Sequence, residues 1–379
     1  MIRFTQITED QEYKILRDTA SAYALKELST QAEQLDLDPT SGRVKEALSK
    51  AGEIGMLAAL IPDRFGGGGL DDYAFCVALE EIAAEEAGVA AALLIHNAAL
   101  FPATLGEFEG LITGVEADAH PACLAFPGEV TLSGGKVSGN VPFAINAQEC
   151  SLITVLPSDG GGTQAATIRG DAQGVEITAE PYQMGLKAAR AGSISFNAVE
   201  PSNIVSGGNM MESVERVLFL GLAAIAVGIS RKSLEKAYAY AQERYQAGKI
   251  IIEHQQMRIF LAEMIMAVEQ GRALVKRACE DEGLAPAMVA WLRNTEKACK
   301  SAIDGVQVHE GLRHGAPDEG REVLSDVSPD EPGSPSPSPG ALRIGLIVVI
   351  DWAEAIRYHG MIPGYVRFPN GSTSIYNTR

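Results

Sequence analysis

Residues 215–264 constrain this chain more than any other stretch. Glu215-Arg216 is followed by an unbroken apolar run from Val217 to Ile229. A segment rich in Lys, Glu, Ala and Tyr continues to Arg244-Tyr245-Gln246-Ala247-Gly248. A break follows at Lys249, and the pattern resumes with His254-Gln255-Gln256 and Leu261-Ala262-Glu263-Met264. This predicts two long helices joined by a short turn. The first is apolar nearly all round over its first half, so it must be buried on most of its faces. The apolar run falls short of the roughly 20 residues that cross a bilayer, so it reads as a core helix.

A chain of 379 residues, 46% hydrophobic, has the material for two or three domains or one large multilayer unit. The net charge of −18 argues against nucleic acid and anionic membranes as partners. It leaves phosphate-bearing ligands open, because local Arg and Lys decide their binding. The five cysteines are scattered, and none forms C-x-x-C. No disulfide framework or metal site is expected from them, and a reduced cytoplasmic compartment is the default. The polar stretch from Thr5 to Asp18 does not read as a signal peptide.

Helical texture runs from residue 8 to 62, with a break at Leu37-Asp38-Pro39-Thr40 and a helix from about Arg43 to Ala51. The run Phe65-Gly66-Gly67-Gly68-Gly69-Leu70-Asp71 reads as a flexible turn. It lacks the Lys-Ser/Thr of a phosphate-binding P-loop. Asp71 or Asp72 is placed to cap the next, Ala-rich helix, predicted to run to about Ala99. His96 near its end reads as a packed histidine rather than a ligand. From about Pro121 short apolar or alternating runs take over: 123–126, 136–141, 151–156, 166–168, 175–178 and 193–196. Gly134-Gly135 and Gly160-Gly161-Gly162 punctuate them, which predicts a β domain of barrel or sandwich type. Helices return at about Met211. The layout is α+β: a helical domain over 1–120, a β domain over 121–208 and a helical bundle over 209–315. An acidic, Pro/Ser-rich linker is expected over 316–340, and a separate segment over 341–379.

Three motifs, in order, resemble the acyl-CoA dehydrogenase family. The glycine turn at Phe65–Asp71 is similar to Y-G-G-x-G-L-D. Met184-Gly185-Leu186-Lys187 with Phe196-Asn197-Ala198-Val199-Glu200-Pro201-Ser202-Asn203-Ile204 resembles G-L-R…F-x-x-V-x-V-P-x-x-N-x-L. Arg244 to Gly248 resembles R-x-x-F-G, and His254-Gln255 with Leu261–Met264 resembles f-Q…L-A-D-M. The resemblance covers roughly residues 10–312. It implies an N-terminal helical domain, a middle β domain and a C-terminal bundle, assembled as dimers or tetramers with FAD between subunits. It also implies a carboxylate base that removes the α-proton of an acyl thioester.

The likeness is uneven at the residues it assigns to the cofactor. Where the family reads L-T-E-P-G, this chain reads Leu124-Ala125-Phe126-Pro127-Gly128. Where the family reads F/W-I-T-N/G-A, it reads Phe143-Ala144-Ile145-Asn146-Ala147, so Phe143 is retained and Ile145 replaces a hydroxyl. An unpaired flavin polar atom there costs about 1–3 kcal/mol. The other reading is that Phe126 and Ile145 simply fill a core. On the phosphate side, Arg244 matches the family Arg that meets the FAD pyrophosphate, and Gln255 the glutamine near it, while Ala247 replaces a Phe. Val306–Arg313 resembles V-Q-x-x-G-G-x-G. Gln307 and Gly311 are kept, and Glu310 and Arg313 stand where glycines belong. A solvated helix-end cation remains the alternative for Arg244.

The family's E-G-T base motif has no counterpart, and Tyr358-His359-Gly360 is only superficially similar. Glu215-Arg216 matches a second base position used in some branches. The alternative for Glu215 is a helix N-terminal carboxylate favoured by the dipole. The resemblance thus implies a dehydrogenase subunit using an acyl-CoA or acyl-carrier thioester, with FAD shared with a related chain or within a homo-oligomer. An electron-transfer flavoprotein is the implied redox partner. A flavin-free acyl-thioester-binding or scaffold protein of the same fold is the alternative.

Overall fold

The computed structural model describes residues 11–40, 42–105, 121–126, 129–158, 163–180 and 185–310. Its N-terminal helices are α1 (Gln11–Tyr23), α2 (Ala32–Leu37), α3 (Arg43–Glu53), α4 (Asp72–Glu85) and α5 (Ala87–Leu105). Asp71 caps α4 by accepting from the Ala74 N–H at 2.7 Å, as the sequence suggests. The glycine run before it is not a flexible turn. Gly68 and Leu70 donate to Ala58 and Ala59 carbonyls, and Gly69 to that of Ile61, each at 2.8 Å. A Cβ on Gly67 would lie 2.1 Å from the Ile61 carbonyl, so the loop packs backbone against backbone.

The Ala-rich helix expected to run unbroken to Ala99 is two helices. The chain turns extended at Glu86, with φ −148° and ψ 104°. The Glu86 carboxylate accepts from the Val89 N–H, capping α5 as Asp71 caps α4. Burial pushes this carboxyl up to about 7.

Eight strands follow: β1 (Ala122–Ala125), β2 (Glu129–Ser133), β3 (Lys136–Ala144), β4 (Leu152–Val155), β5 (Gln164–Arg169), β6 (Val175–Ala179), β7 (Gly192–Val199) and β8 (Asn203–Ser206). They form two four-stranded sheets, ordered β1-β4-β5-β8 and β2-β3-β7-β6. A sandwich core of Cys123, Val130, Val141, Ile153, Ile168, Ile194 and Phe196 lies between them. Strand β2 escapes an apolar pattern because only Val130 in it is fully buried. It pairs with β3 through the Gly134-Gly135 turn, in the register Ser133↔Lys136. The outer face of the first sheet lies on α5. There Thr154 donates to the Ala99 carbonyl at 2.7 Å, and Asn146 to that of Ala92 at 2.9 Å. His96 Nδ1 accepts from the Ala122 N–H at 2.8 Å. Burial lowers the His96 pKa to about 4, which leaves a packed, neutral ring.

The bundle holds α6 (Met210–Glu243), a hairpin of β9 (Tyr245–Gln246) and β10 (Lys249–Ile250), α7 (Gln255–Cys279) and α8 (Leu284–Glu310). Instead of a plain turn, this two-stranded hairpin joins α6 to α7. Ala247 and Gly248 both have positive φ, 49° and 80°, which a two-residue hairpin turn of matching twist requires. Helix α6 has 34 residues, about 50 Å of length. It is sunk among its neighbours because Gly221 and Gly228 admit close contact. A Cβ there would lie 2.3 Å from Leu94 and 2.5 Å from the Glu80 carbonyl. Helices α5 and α6 are long and apolar enough to cross a membrane, but their apolar windows are 89% and 78% buried within the fold, as befits core helices. The order of helices, β sandwich and helices is α+β. The expected linker over 316–340 and the segment over 341–379 lie outside the described residues, as does Tyr358-His359-Gly360.

Candidate active site

Glu215 sits in the second turn of α6, half-buried. Burial, followed by repulsion from Glu212, raises its carboxyl to about 7. Among the described residues its carboxylate has no hydrogen-bond or cationic partner. The adjacent Arg216 points elsewhere. It pairs with Asp72 at the start of α4. It also donates to the Asp281 carbonyl at 3.1 Å, with longer contacts to the Ala278 and Cys279 carbonyls, both 3.5 Å. A guanidinium on the last carbonyls of a helix satisfies orphan acceptors and complements the dipole. Arg216 therefore ties together the N-terminal ends of α6 and α4 and the C-terminal end of α7. It leaves Glu215 an unneutralised carboxylate in a partly dry site, the state a general base needs. The sequence displays the Glu-Arg pair but not the clamp, because Asp72 is 144 residues from Arg216.

Arg244 lies at the other end of α6. Its backbone caps the helix by donating to the Tyr240 carbonyl at 3.0 Å, and its carbonyl accepts from Ile251 at 2.8 Å. Its side chain is exposed. Gln255, also exposed, opens α7 beyond the same hairpin. His254 closes the loop with a ring contact of 3.1 Å to the Gln246 carbonyl. Near the end of α8, His309 stacks on Tyr240 with ring centroids 4.6 Å apart, which brings that end to the same side. Gln307, two residues earlier, is exposed. Gly311 lies outside the described residues. The geometry thus gathers Arg244, Gln255 and Gln307 at one end of the bundle, where their side chains are exposed and, among the described residues, make no hydrogen bond or ion pair. Glu215 is 29 residues from Arg244 along one helix, about 44 Å away. No dinucleotide spans that distance, so the two groups cannot serve one cofactor within a single chain.

Phe143 is half-buried at the end of β3 and packs on the helical core, as does Phe126. Ile145 is 4% exposed within the same core. Asn146 follows in a left-handed conformation, φ 66°, with its amide committed to the Ala92 and Ala122 carbonyls. This segment lies against α5, and α5 meets the N-terminal half of α6 at Leu94 and Gly221. The segment and Glu215 therefore flank the same half of the molecule. Its side chains are apolar or already bonded, so in this chain they do not fit the polar edge of a flavin ring. The exposed Arg and two Gln at the far end do fit phosphate.

Two sequence profiles match the chain. The profile of the acyl-CoA dehydrogenase N-terminal domain covers residues 10–108, and that of the acyl-CoA dehydrogenase C-terminal domain covers residues 214–316. The chain belongs to the acyl-CoA dehydrogenase family. Among its relatives, the probable acyl-CoA dehydrogenase YngJ of Bacillus subtilis is 25% identical over 342 residues, 81% of this chain and 89% of that protein. The mitochondrial short-chain specific acyl-CoA dehydrogenase of Rattus norvegicus is 27% identical over 301 residues, 70% and 71% of the two chains. In fold, glutaryl-CoA dehydrogenase from Mycobacterium smegmatis superposes with a TM-score of 0.75 at 18% identity, covering 92% of each chain. The family's C-terminal match contains Glu215, Arg244, Gln255, Gln307 and Gly311, whereas Phe143 lies between the two matched regions.

Proposed function

We propose that this chain is a subunit of an acyl-thioester dehydrogenase, with Glu215 as its base and a flavin site shared with a partner chain. The observation that carries this is the half-buried Glu215 carboxylate, raised to about 7 and without a cation, beside an Arg216 already consumed by Asp72 and the α7 carbonyls. A carboxylate of that strength takes the α-proton of a thioester near neutral pH and holds it on its own oxygen. Arg216 keeps the first turns of α6, and with them Glu215, in place. FAD, when bound, supplies the acceptor for the β-hydride.

Arg244, Gln255 and Gln307, with Gly311, serve the FAD pyrophosphate at the opposite end, with Arg244 matching phosphate by its fork of donors. The separation of about 44 Å supports a flavin whose phosphates lie on one chain and whose ring lies on another. The apolar Phe126, Phe143 and Ile145 support a related chain, rather than a second copy, as supplier of the ring-side polar contacts. The substrate is an acyl-CoA or an acyl-carrier thioester, the electron acceptor an electron-transfer flavoprotein, and the compartment the cytoplasm.

Glu215→Gln in the purified complex tests the base. Turnover should fall about 10²- to 10⁴-fold, with flavin content unchanged. Unaltered turnover would assign the base to the partner. Flavin-to-chain stoichiometry tests the sharing, which predicts fewer flavins than chains in the heteromer. The buried Ile145 also favours a second reading, a flavin-free acyl-thioester-binding protein. A colourless preparation, even after co-expression with a related chain, would establish that reading and end the first.

A further inference from the structure

His309 stands among the phosphate-side residues, at an unspecified position of the V-Q-x-x-G-G-x-G pattern. It lies two residues past Gln307, in the last turn of α8. Its ring stacks on that of Tyr240, with centroids 4.6 Å apart and planes 28° from parallel. Tyr240 lies one turn before Arg244, whose N–H donates to the Tyr240 carbonyl at 3.0 Å. The imidazole is thus fixed beside the turn of α6 that ends in Arg244. Tyr240 packs against the helical core from below, and the His309 side of the stack is only partly buried.

The second contact of the ring settles its tautomer. His309 Nδ1 lies 2.7 Å from the Gly305 carbonyl oxygen. A carbonyl only accepts, so Nδ1 carries the proton and donates it. In the neutral ring Nε2 is then a bare lone pair, which offers nothing to a phosphate oxygen. One added proton changes this. The imidazolium keeps its Nδ1–H on Gly305 and gains at Nε2 a cationic donor, the kind that bonds phosphate best. The charged and titratable groups of the surrounding elements are Tyr240, Glu243 and Arg244 on α6, and Lys249, Glu253 and His254 between α6 and α7. On α8 itself Asp304 is already paired with Lys300 at 2.7 Å. Among the described residues Nε2 has no hydrogen-bond partner, and no carboxylate forms an ion pair with the ring. The anion that would hold a proton on Nε2 is therefore one that a ligand must bring.

We propose that His309 is a further phosphate-binding residue of this end of the bundle and that it binds as the imidazolium, so that a pyrophosphate ligand is taken up together with a proton. This rests on the reading of Arg244, Gln255 and Gln307 as the phosphate side of the shared flavin site. A buffer acid gives its proton to Nε2, and no covalent bond to phosphorus forms. Bound phosphate favours the protonated ring over the neutral one, so affinity is highest at low pH. It declines as pH rises through the histidine range, by up to about tenfold per pH unit for one linked proton. Arg244 stays charged throughout and supplies the part of the affinity that does not change with pH.

The test is calorimetric titration of the purified full-length chain with ADP-ribose, a pyrophosphate diester that lacks the flavin ring and has no group of its own titrating near neutral pH. The parent should bind at least about fivefold more tightly at about pH 6 than at about pH 8. Between those values, titrations in two buffers of different ionisation enthalpy should show net proton uptake. His309→Phe keeps an aromatic ring on Tyr240 but has no Nε2. It should bind no more tightly than the parent does at the higher pH, with equal affinity at both pH values and no proton uptake. A purely structural role for His309 would shift affinity equally at both and leave the parent without uptake. Parent binding that is independent of pH and proton-neutral, yet weakened in Arg244→Ala, would overturn the assignment of His309 and leave the phosphate reading standing. A pH dependence that survives in His309→Phe would overturn it too and move the proton to another group such as His254. Failure of the parent to bind either ADP-ribose or FAD at any pH would end the phosphate reading and this inference with it.

Discussion

At its N-terminal end α6 is tied down by a side chain. Arg216 reaches Asp72 and three carbonyls at the end of α7, and its guanidinium is only 15% exposed. At its C-terminal end α6 is held by the Tyr240–His309 ring stack and by backbone bonds, not by an arginine side chain. Arg244 caps through its N–H and carbonyl, and its guanidinium stands in solvent. Between the two ends, Arg231 and Arg272 form ion pairs with the buried Glu80 and Glu81. Burial alone would raise the Glu80 carboxyl, but Arg272, Arg231 and Arg17 together hold it below the usual value. One helix thus carries a charge spent on structure, a charge network spent on packing, and a charge left free. An unspent charge is the one available for a ligand. The same contrast holds between neighbours, because Arg216 is consumed and Glu215 is not.

Removing Arg216 should have the largest effect on folding. Arg216→Met keeps the aliphatic stem but strands Asp72 and the α7 carbonyls. Breaking a buried pair costs about 3–5 kcal/mol. Asp72 is 29% exposed and regains some water, so the expected loss is about 3 kcal/mol, at the lower end of that range. The urea midpoint should fall clearly without a change in slope. If Arg216→Met leaves the midpoint where it was, the N-terminal end is not side-chain clamped, and the contrast between the ends disappears.

The second effect comes from Glu215 and is smaller. Its folded carboxyl is raised to about 7 from an ordinary 4.5. Between those values the folded state keeps a proton that the unfolded chain has lost. Stability from this group is therefore fully present below about pH 4.5, declines as pH rises through about 7, and is flat above. Glu215→Gln removes the slope. The variant should match the parent at pH 4 and exceed it at pH 8, by about 1 kcal/mol after allowing for solvent screening. Glu86 shares the same window, so the parent–variant difference, not the parent curve, isolates Glu215. Parallel curves for parent and variant across pH 4–8 would mean that Glu215 ionises normally and lacks the character of a base.

The parts of this molecule that can be read from the sequence are those set by neighbours along the chain. The Val217–Ile229 run predicts a sunken helix because every face is apolar, and Asp71 announces a cap because capping acts over three residues. Glu86 is harder to see. It interrupts an Ala-rich run through one carboxylate turned back on Val89, and nothing in composition distinguishes it from Glu85 beside it. Arg244 and Gln255 stand out because they fall on motif positions of the family that the sequence resembles, although the hairpin between them does not. The role of Arg216 and the pairing of Glu80 with Arg272 depend on residues that only folding brings together. They stay hidden even when each residue is noticed by itself. The flavin-facing motif is the intermediate case. The replacement of a hydroxyl by Ile145 is visible in the sequence, but its burial in the helical core emerges only from the fold.

The smallest expected change in folding belongs to Arg244, and it sharpens the contrast most. Substituting an exposed side chain away from special features shifts stability by within about 0.5 kcal/mol. The capping bonds here are backbone bonds that Arg244→Ala retains. Its urea midpoint should therefore coincide with that of the parent, against the large fall for Arg216→Met. Flavin affinity should behave in the opposite sense. A charge-assisted bond to phosphate is worth about 1.5–3 kcal/mol, so flavin should bind the Arg244→Ala complex at least about tenfold more weakly by equilibrium dialysis. A fall in stability with unchanged flavin affinity would make Arg244 a second structural anchor. The phosphate end of the site would then lie elsewhere.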